Sequence, residues 1–124
     1  MIEIILYALA LYLLQLMLPS GIGMLNKSVD TAYLVGPRDT APELSAGLLR
    51  LKRAAANMAE SLPAFLALAI LSIIGGAANA ELATYWLALR AIYIVTYWAH
   101  INAVRTLVWS ASIVCLVLMA LNLV

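Results

Sequence analysis

The sequence predicts an all-α integral membrane protein, a four-helix up-down bundle, on three observations. Composition is the first: of 124 residues, 66% are hydrophobic and only 10% charged, and mean hydropathy is +1.04. Soluble domains average about 45–50% apolar and about 25% charged residues, so this chain lacks the polar surface to cover a core in water. The second is a set of apolar runs long enough to cross a bilayer, which takes roughly 20 residues. The third is that the cations gather at one set of connections. A net charge of +1 excludes both a disordered polyelectrolyte and a nucleic-acid binder acting through a general positive field. Cys115 is the only cysteine and permits no internal disulfide.

The first helix follows from the run Ile4 to Leu18, interrupted only by Gln15, after which Pro19, Ser20, Gly21 and Gly23 loosen or bend it. The start Met1-Ile2-Glu3 lacks the basic residues of a signal peptide, so the helix is read as retained. The stretch Asn26–Ser45, with Lys27, Asp30, Arg38, Asp39, Glu43, Pro37 and Pro42, is read as the one substantial loop. The second helix starts near Ser45 or Gly47, carries Pro63 as an expected kink, and ends at Gly75-Gly76. A third helix runs from about Glu81 to Trp98 and a fourth from about Asn102, a candidate N-cap, to Asn122. The spans lie at about 2–24, 47–75, 81–98 and 102–123 of one domain covering 1–124.

Lys27, Arg38, Arg50, Lys52 and Arg53 flank the first connection and Arg105 follows the last, whereas the Gly75–Glu81 turn has none. The positive-inside rule then puts the long loop in the cytoplasm and both termini outside. Tyr85 and Trp86 at one end, with Tyr97, Trp98 and Trp109 at the other, suit interfacial aromatic belts.

Charges inside a span are costly and mark function or pairing. At about 100° per residue, Arg50, Arg53, Asn57 and Glu60 fall within an arc of roughly 80° on the second helix. Trp86, Arg90, Tyr93 and Tyr97 share an arc of about 60° on the third. Arg90 lies about nine residues, or roughly 14 Å, from either helix end and needs an anion. Glu60 is the only carboxylate well inside a span, so an Arg90–Glu60 pair is expected, whether to bind a ligand or only to fix helix register. The alternative for the second-helix stripe is a snorkelling cytoplasmic end with an internal Arg–Glu60 contact. Arg105 and Thr106 open the fourth helix with Trp109 one turn on, and Arg105 also has a snorkelling reading. His100 reads as a solvated turn residue and Cys115 as packing, and no metal site is expected.

The segment Arg50-x-x-Arg53-Ala54-x-x-Asn57-x-x-Glu60-x-x-Pro63-x-Phe65 resembles the signature of the MAPEG family, the membrane-associated proteins in eicosanoid and glutathione metabolism. Arg90-x-x-Tyr93-x-x-x-Tyr97 followed by Arg105 is similar to that family's later helices, and Gly36-Pro37-Arg38-Asp39 to the loop of its bacterial members. Ala56 and Trp109 depart from the side chains that some members carry in these stretches. The resemblance implies a homotrimer, a bacterial inner-membrane location and glutathione as co-substrate at subunit interfaces. It also implies a lipophilic small molecule, an electrophile or hydroperoxide, as second substrate. By the same resemblance Arg53, Asn57, Glu60, Tyr93 and Tyr97 contact glutathione, with Arg90 beside Glu60, and Arg105 is the catalytic residue that stabilises the thiolate. The competing function is a non-catalytic trimer whose polar faces serve assembly or lipid binding. Transport is disfavoured by the absence of repeats or broken spans.

Overall fold

The computed structural model describes residues 1–37, 39 and 43–124, so the loop cation Arg38 and Pro42 lie outside the described residues. Those described form five helices and no strand: α1 (Ile2–Leu25), α2 (Thr31–Val35), α3 (Ala46–Gly75), α4 (Ala80–Trp98) and α5 (Asn102–Leu121). The short α2 lies within the stretch that the sequence presents as loop; at five residues it is too brief to show a hydrophobic period.

Local chemistry explains where the long helices stop. The α1 end folds back tightly, with the amides of Ser28 and Val29 both donating to the Gly23 carbonyl at 2.9 and 3.0 Å. A Cβ on Gly23 would lie 2.6 Å from Val29 Cγ2, so this close approach requires glycine. Ser45 caps α3 by accepting a hydrogen bond from the Leu48 amide at 3.4 Å. At the other end Gly76 adopts φ 68°, the left-handed conformation glycine tolerates, and its amide donates to the Ser72 carbonyl. Pro19 and Pro63 both lie inside helices that continue past them. The N-cap of α5 is Ile101, and Asn102, the expected cap, is its first helical residue. Ile101 caps without a side-chain acceptor, and the preceding His100 turns the chain at φ 62°.

Helix α3 packs against α1, α4 and α5, while α4 packs most extensively on α5. Their shared core comprises Ala8, Met58, Leu62, Phe65, Ala69, Ala83, Trp86, Cys115, Leu116 and Met119. Phe65 and Trp86 stack face to face at 4.0 Å and 5°. Trp86 is thereby fully buried, which corrects its reading as an interfacial anchor: the face of α4 that carries it meets α3, and its ring packs on Phe65. Tyr85, Trp98 and Trp109 are exposed as belt residues are.

A polar knot closes the end opposite the cations. Asn79, fully buried before α4, donates from Nδ2 to Ser72 Oγ (2.8 Å) and to the Met119 carbonyl (2.9 Å), and accepts from Asn122 Nδ2 (2.9 Å). Ser72 in turn donates to the Leu68 carbonyl at 2.7 Å. This network links α3, the turn and the end of α5 with no polar group of Asn79 left over.

The outer surface is apolar: Leu6, Leu13, Met17, Ile70, Ile74, Ile92, Val95, Leu107, Val114 and Leu121 are all exposed. Three helices, α1, α3 and α5, are long and apolar enough to cross a membrane. The fourth expected span, α4, does not meet that standard. Glu81, Arg90 and its aromatic residues lower its hydropathy, and Trp86, Arg90, Tyr93 and Thr96 are turned into the protein.

Candidate functional site

Three helices contribute to a cavity of about 250 Å³ lined by Asn57 from α3, Tyr93 and Tyr97 from α4, and Arg105, Thr106 and Trp109 from α5. The spacing explains the convergence. Tyr93 and Tyr97 are four residues apart, so they stack along one face of α4. Their rings meet edge to face at 5.5 Å. Arg105 and Trp109 repeat that spacing on α5. The Arg105 guanidinium carbon lies 4.7 Å from the centre of the Tyr97 ring, a cation–π contact that holds the charge at the cavity rather than in free solvent.

Arg90 lies behind this cavity and does not line it. It is 1% exposed, and its Nη2 donates to Asn57 Oδ1 at 2.7 Å. Its guanidinium carbon stands 5.1 Å from the Tyr93 ring centre and 6.0 Å from that of Trp86. The Nε and Nη1 groups are buried without a hydrogen-bond partner. The expected Arg90–Glu60 pair is therefore not formed: Arg90 is bound to Asn57, and Glu60 is exposed. Asn57 shares the Glu60 stripe but lies almost one turn earlier, and a neutral amide meets a buried guanidinium without the penalty of desolvating a carboxylate. Because the bond occupies Asn57 Oδ1, it also fixes which way the amide points, leaving Nδ2 as the end free to donate.

Arg53 and Glu60 are both exposed and outside the cavity lining, and Arg50 is half-buried. Of the residues picked out by motif, Asn57, Tyr93, Tyr97 and Arg105 are brought together, with Arg90 supporting them. Arg53 and Glu60 are exposed on α3 outside the lining, with Glu60 still within electrostatic reach of Arg90 and Tyr93. Thr106 and Trp109 complete the lining; their spacing from Arg105 on one helix was the available signal. Gln15, which in the sequence only interrupts the first apolar run, is buried beside a separate cavity. Among the described residues no group of three or more His, Cys, Asp or Glu could hold a metal ion. His100 is exposed in its turn and Cys115 is packed in the core.

Fold and site together define a helical protein with membrane-spanning segments and a polar cavity set among them. The MAPEG family model matches residues 4–124, nearly the whole chain, and the protein belongs to the MAPEG family. No curated protein and no solved structure matches it.

Proposed function

We propose that the protein binds glutathione in the membrane and uses it as a transferase or peroxidase toward lipophilic electrophiles or hydroperoxides. The observation that carries this reading is the convergence of Asn57, Tyr93, Tyr97 and Arg105 from three helices on one cavity. Glutathione presents two carboxylates, an ammonium, two peptide groups and a thiol. Tyrosine hydroxyls and the Asn57 amide match the peptide groups and carboxylates, and Arg105 matches an anion. A free thiol of pKa about 8.5 is mostly protonated at neutral pH, and a cation beside it in a partly dry site raises the thiolate fraction. Arg105 supplies that cation. The thiolate attacks an electrophilic carbon to form a thioether, either expelling a leaving group as its anion or adding across a polarised double bond whose electron pair then takes a proton from water. With a hydroperoxide it attacks the distal oxygen, releasing the alcohol, and a second glutathione then forms the disulfide and water.

The cavity is an open cleft lined by six residues, which would leave part of a bound tripeptide uncovered. Arg53 and Glu60 meanwhile stay exposed on a spanning helix, where bare charges are costly. Both points favour a homotrimer of four-helix up-down bundles, with a second subunit covering this face and Arg53 and Glu60 completing the glutathione site. The cation distribution favours a bacterial inner-membrane orientation with both termini outside and the long first connection cytoplasmic. The same exposed pair supports the second reading, a non-catalytic trimer in which the polar faces serve assembly. Glutathione titration of the purified protein separates the two. Saturable binding with thiolate absorbance that is lost in Arg105→Ala supports the first, and absence of binding at millimolar glutathione supports the second.

A further inference from the structure

We propose that Arg90 is a positioning residue that sets the hydrogen-bond polarity of the cavity, making Asn57 a dedicated donor to a ligand carboxylate. The inference rests on the glutathione reading and adds to it which chemical group faces α3, and why.

A guanidinium only donates, so its 2.7 Å bond to the Asn57 amide has one possible acceptor there, Oδ1. An unconstrained asparagine can present either end to a ligand, because a half-turn of the amide exchanges oxygen and nitrogen. Arg90 removes that freedom. Burial fixes Arg90 in turn: it is 1% exposed, with its guanidinium carbon 5.1 Å from the Tyr93 ring centre and 6.0 Å from that of Trp86. Asn57 lines the cavity, and among the described residues its Nδ2 has no partner. Whatever meets Nδ2 must therefore be an acceptor.

The clasp also passes charge forward. A bond from a charged donor polarises the amide and strengthens the donor at its far end, by about 10–30% per bond in such chains. Arg90 thus acts on the cavity without lining it. The remaining walls have the same polarity. Arg105 is a cation, the tyrosines and Trp109 add donors, and the Thr106 hydroxyl spends its proton on the Asn102 carbonyl at 3.1 Å. Among the described residues no carboxylate lines the cavity. Such a lining suits a group that accepts and cannot donate. A carboxylate meets Asn57 while the thiolate meets Arg105, and the ammonium of glutathione stays outside the lining.

The test uses the full-length protein in lipid nanodiscs with isotopically labelled asparagine nitrogen, the Asn57 side-chain resonance being identified by its loss in Asn57→Asp. The probes are glutathione, N-acetylglycine and N-acetylglycinamide. Both carboxylates should move the Asn57 Nδ2 resonance downfield, and N-acetylglycine should bind at least tenfold more tightly than its amide. Arg90→Lys still donates to Oδ1 and should keep that preference. Arg90→Gln leaves the Asn57 amide free to turn and should cut it below threefold. In Asn57→Asp an oxygen replaces Nδ2 while Arg90 keeps its acceptor, so resistance to denaturant should be undiminished and binding of both carboxylates at least tenfold weaker. Should Arg90→Gln fail to fold, Asn57→Asp decides. Native preference in Arg90→Gln, native affinity in Asn57→Asp, or an Asn57 resonance that no carboxylate moves would overturn the proposal. A protein that ignores glutathione yet reads N-acetylglycine through Arg90 would sink the glutathione reading and keep this one. Glutathione binding with a carboxylate preference indifferent to Arg90 would do the reverse.

Discussion

The hydrogen bond from Arg90 to Asn57 ties α4 to α3 through a buried charge. A guanidinium with 1% exposure has a single hydrogen-bond acceptor, Asn57 Oδ1 at 2.7 Å, and two further donor groups without one. Removing that acceptor should cost about 1.5–3 kcal/mol, the range for hydrogen bonds to charged groups. Asn57→Leu is therefore expected to lower unfolding stability in detergent by that amount, and Glu60→Gln to change it little. Arg90→Met combined with Asn57→Leu should recover most of the loss, because an apolar pair leaves no buried donor unpaired. Equal losses in Glu60→Gln and Asn57→Leu would contradict this assignment. The sequence made the importance of Arg90 legible, because a charge nine residues from either helix end demands a partner. It misdirected the choice of partner. Charge alone favours Glu60, and only packing shows that the guanidinium meets the stripe at Asn57.

At the scale of elements, the helices were legible where chemistry marks their ends and obscure where it does not. Ser45 and Gly76 bound α3 as cap residues do, whereas α2 is too short to leave a pattern. Aromatics mark boundaries ambiguously: Tyr85 is exposed and its neighbour Trp86 stacks on Phe65, a difference set by which face of α4 meets α3. The Asn79 knot was illegible, since Ser72, Asn79 and Asn122 are ordinary polar residues until the turn and the α5 end meet. Asn79 takes part in three hydrogen bonds. At about 1 kcal/mol each, Asn79→Ala should destabilise the protein by about 3 kcal/mol, against about 1 kcal/mol for Asn122→Ala. Both are read from denaturant unfolding in detergent. A neutral Asn79→Ala would mean that the knot contributes nothing net to stability.

For the whole molecule, composition already required lipid as solvent, and the exposed leucines, isoleucines and valines of α1, α3 and α5 agree. What the single chain leaves open to its surroundings is the polar α3 face with Arg53 and Glu60, and subunit contacts are invisible in one sequence. The proposed homotrimer would cover that face. Chemical cross-linking in membranes should give a ladder that stops at three, and a ladder ending at two or running past three would count against it. The central claim is that the cavity of Asn57, Tyr93, Tyr97 and Arg105 binds glutathione and ionises its thiol. Equilibrium titration at neutral pH, followed by thiolate absorbance, tests it most directly. Saturable binding and a thiolate signal are expected in the native protein, with the signal lost and binding weakened in Arg105→Ala. No binding at millimolar glutathione, or a thiolate signal indifferent to Arg105, would contradict it.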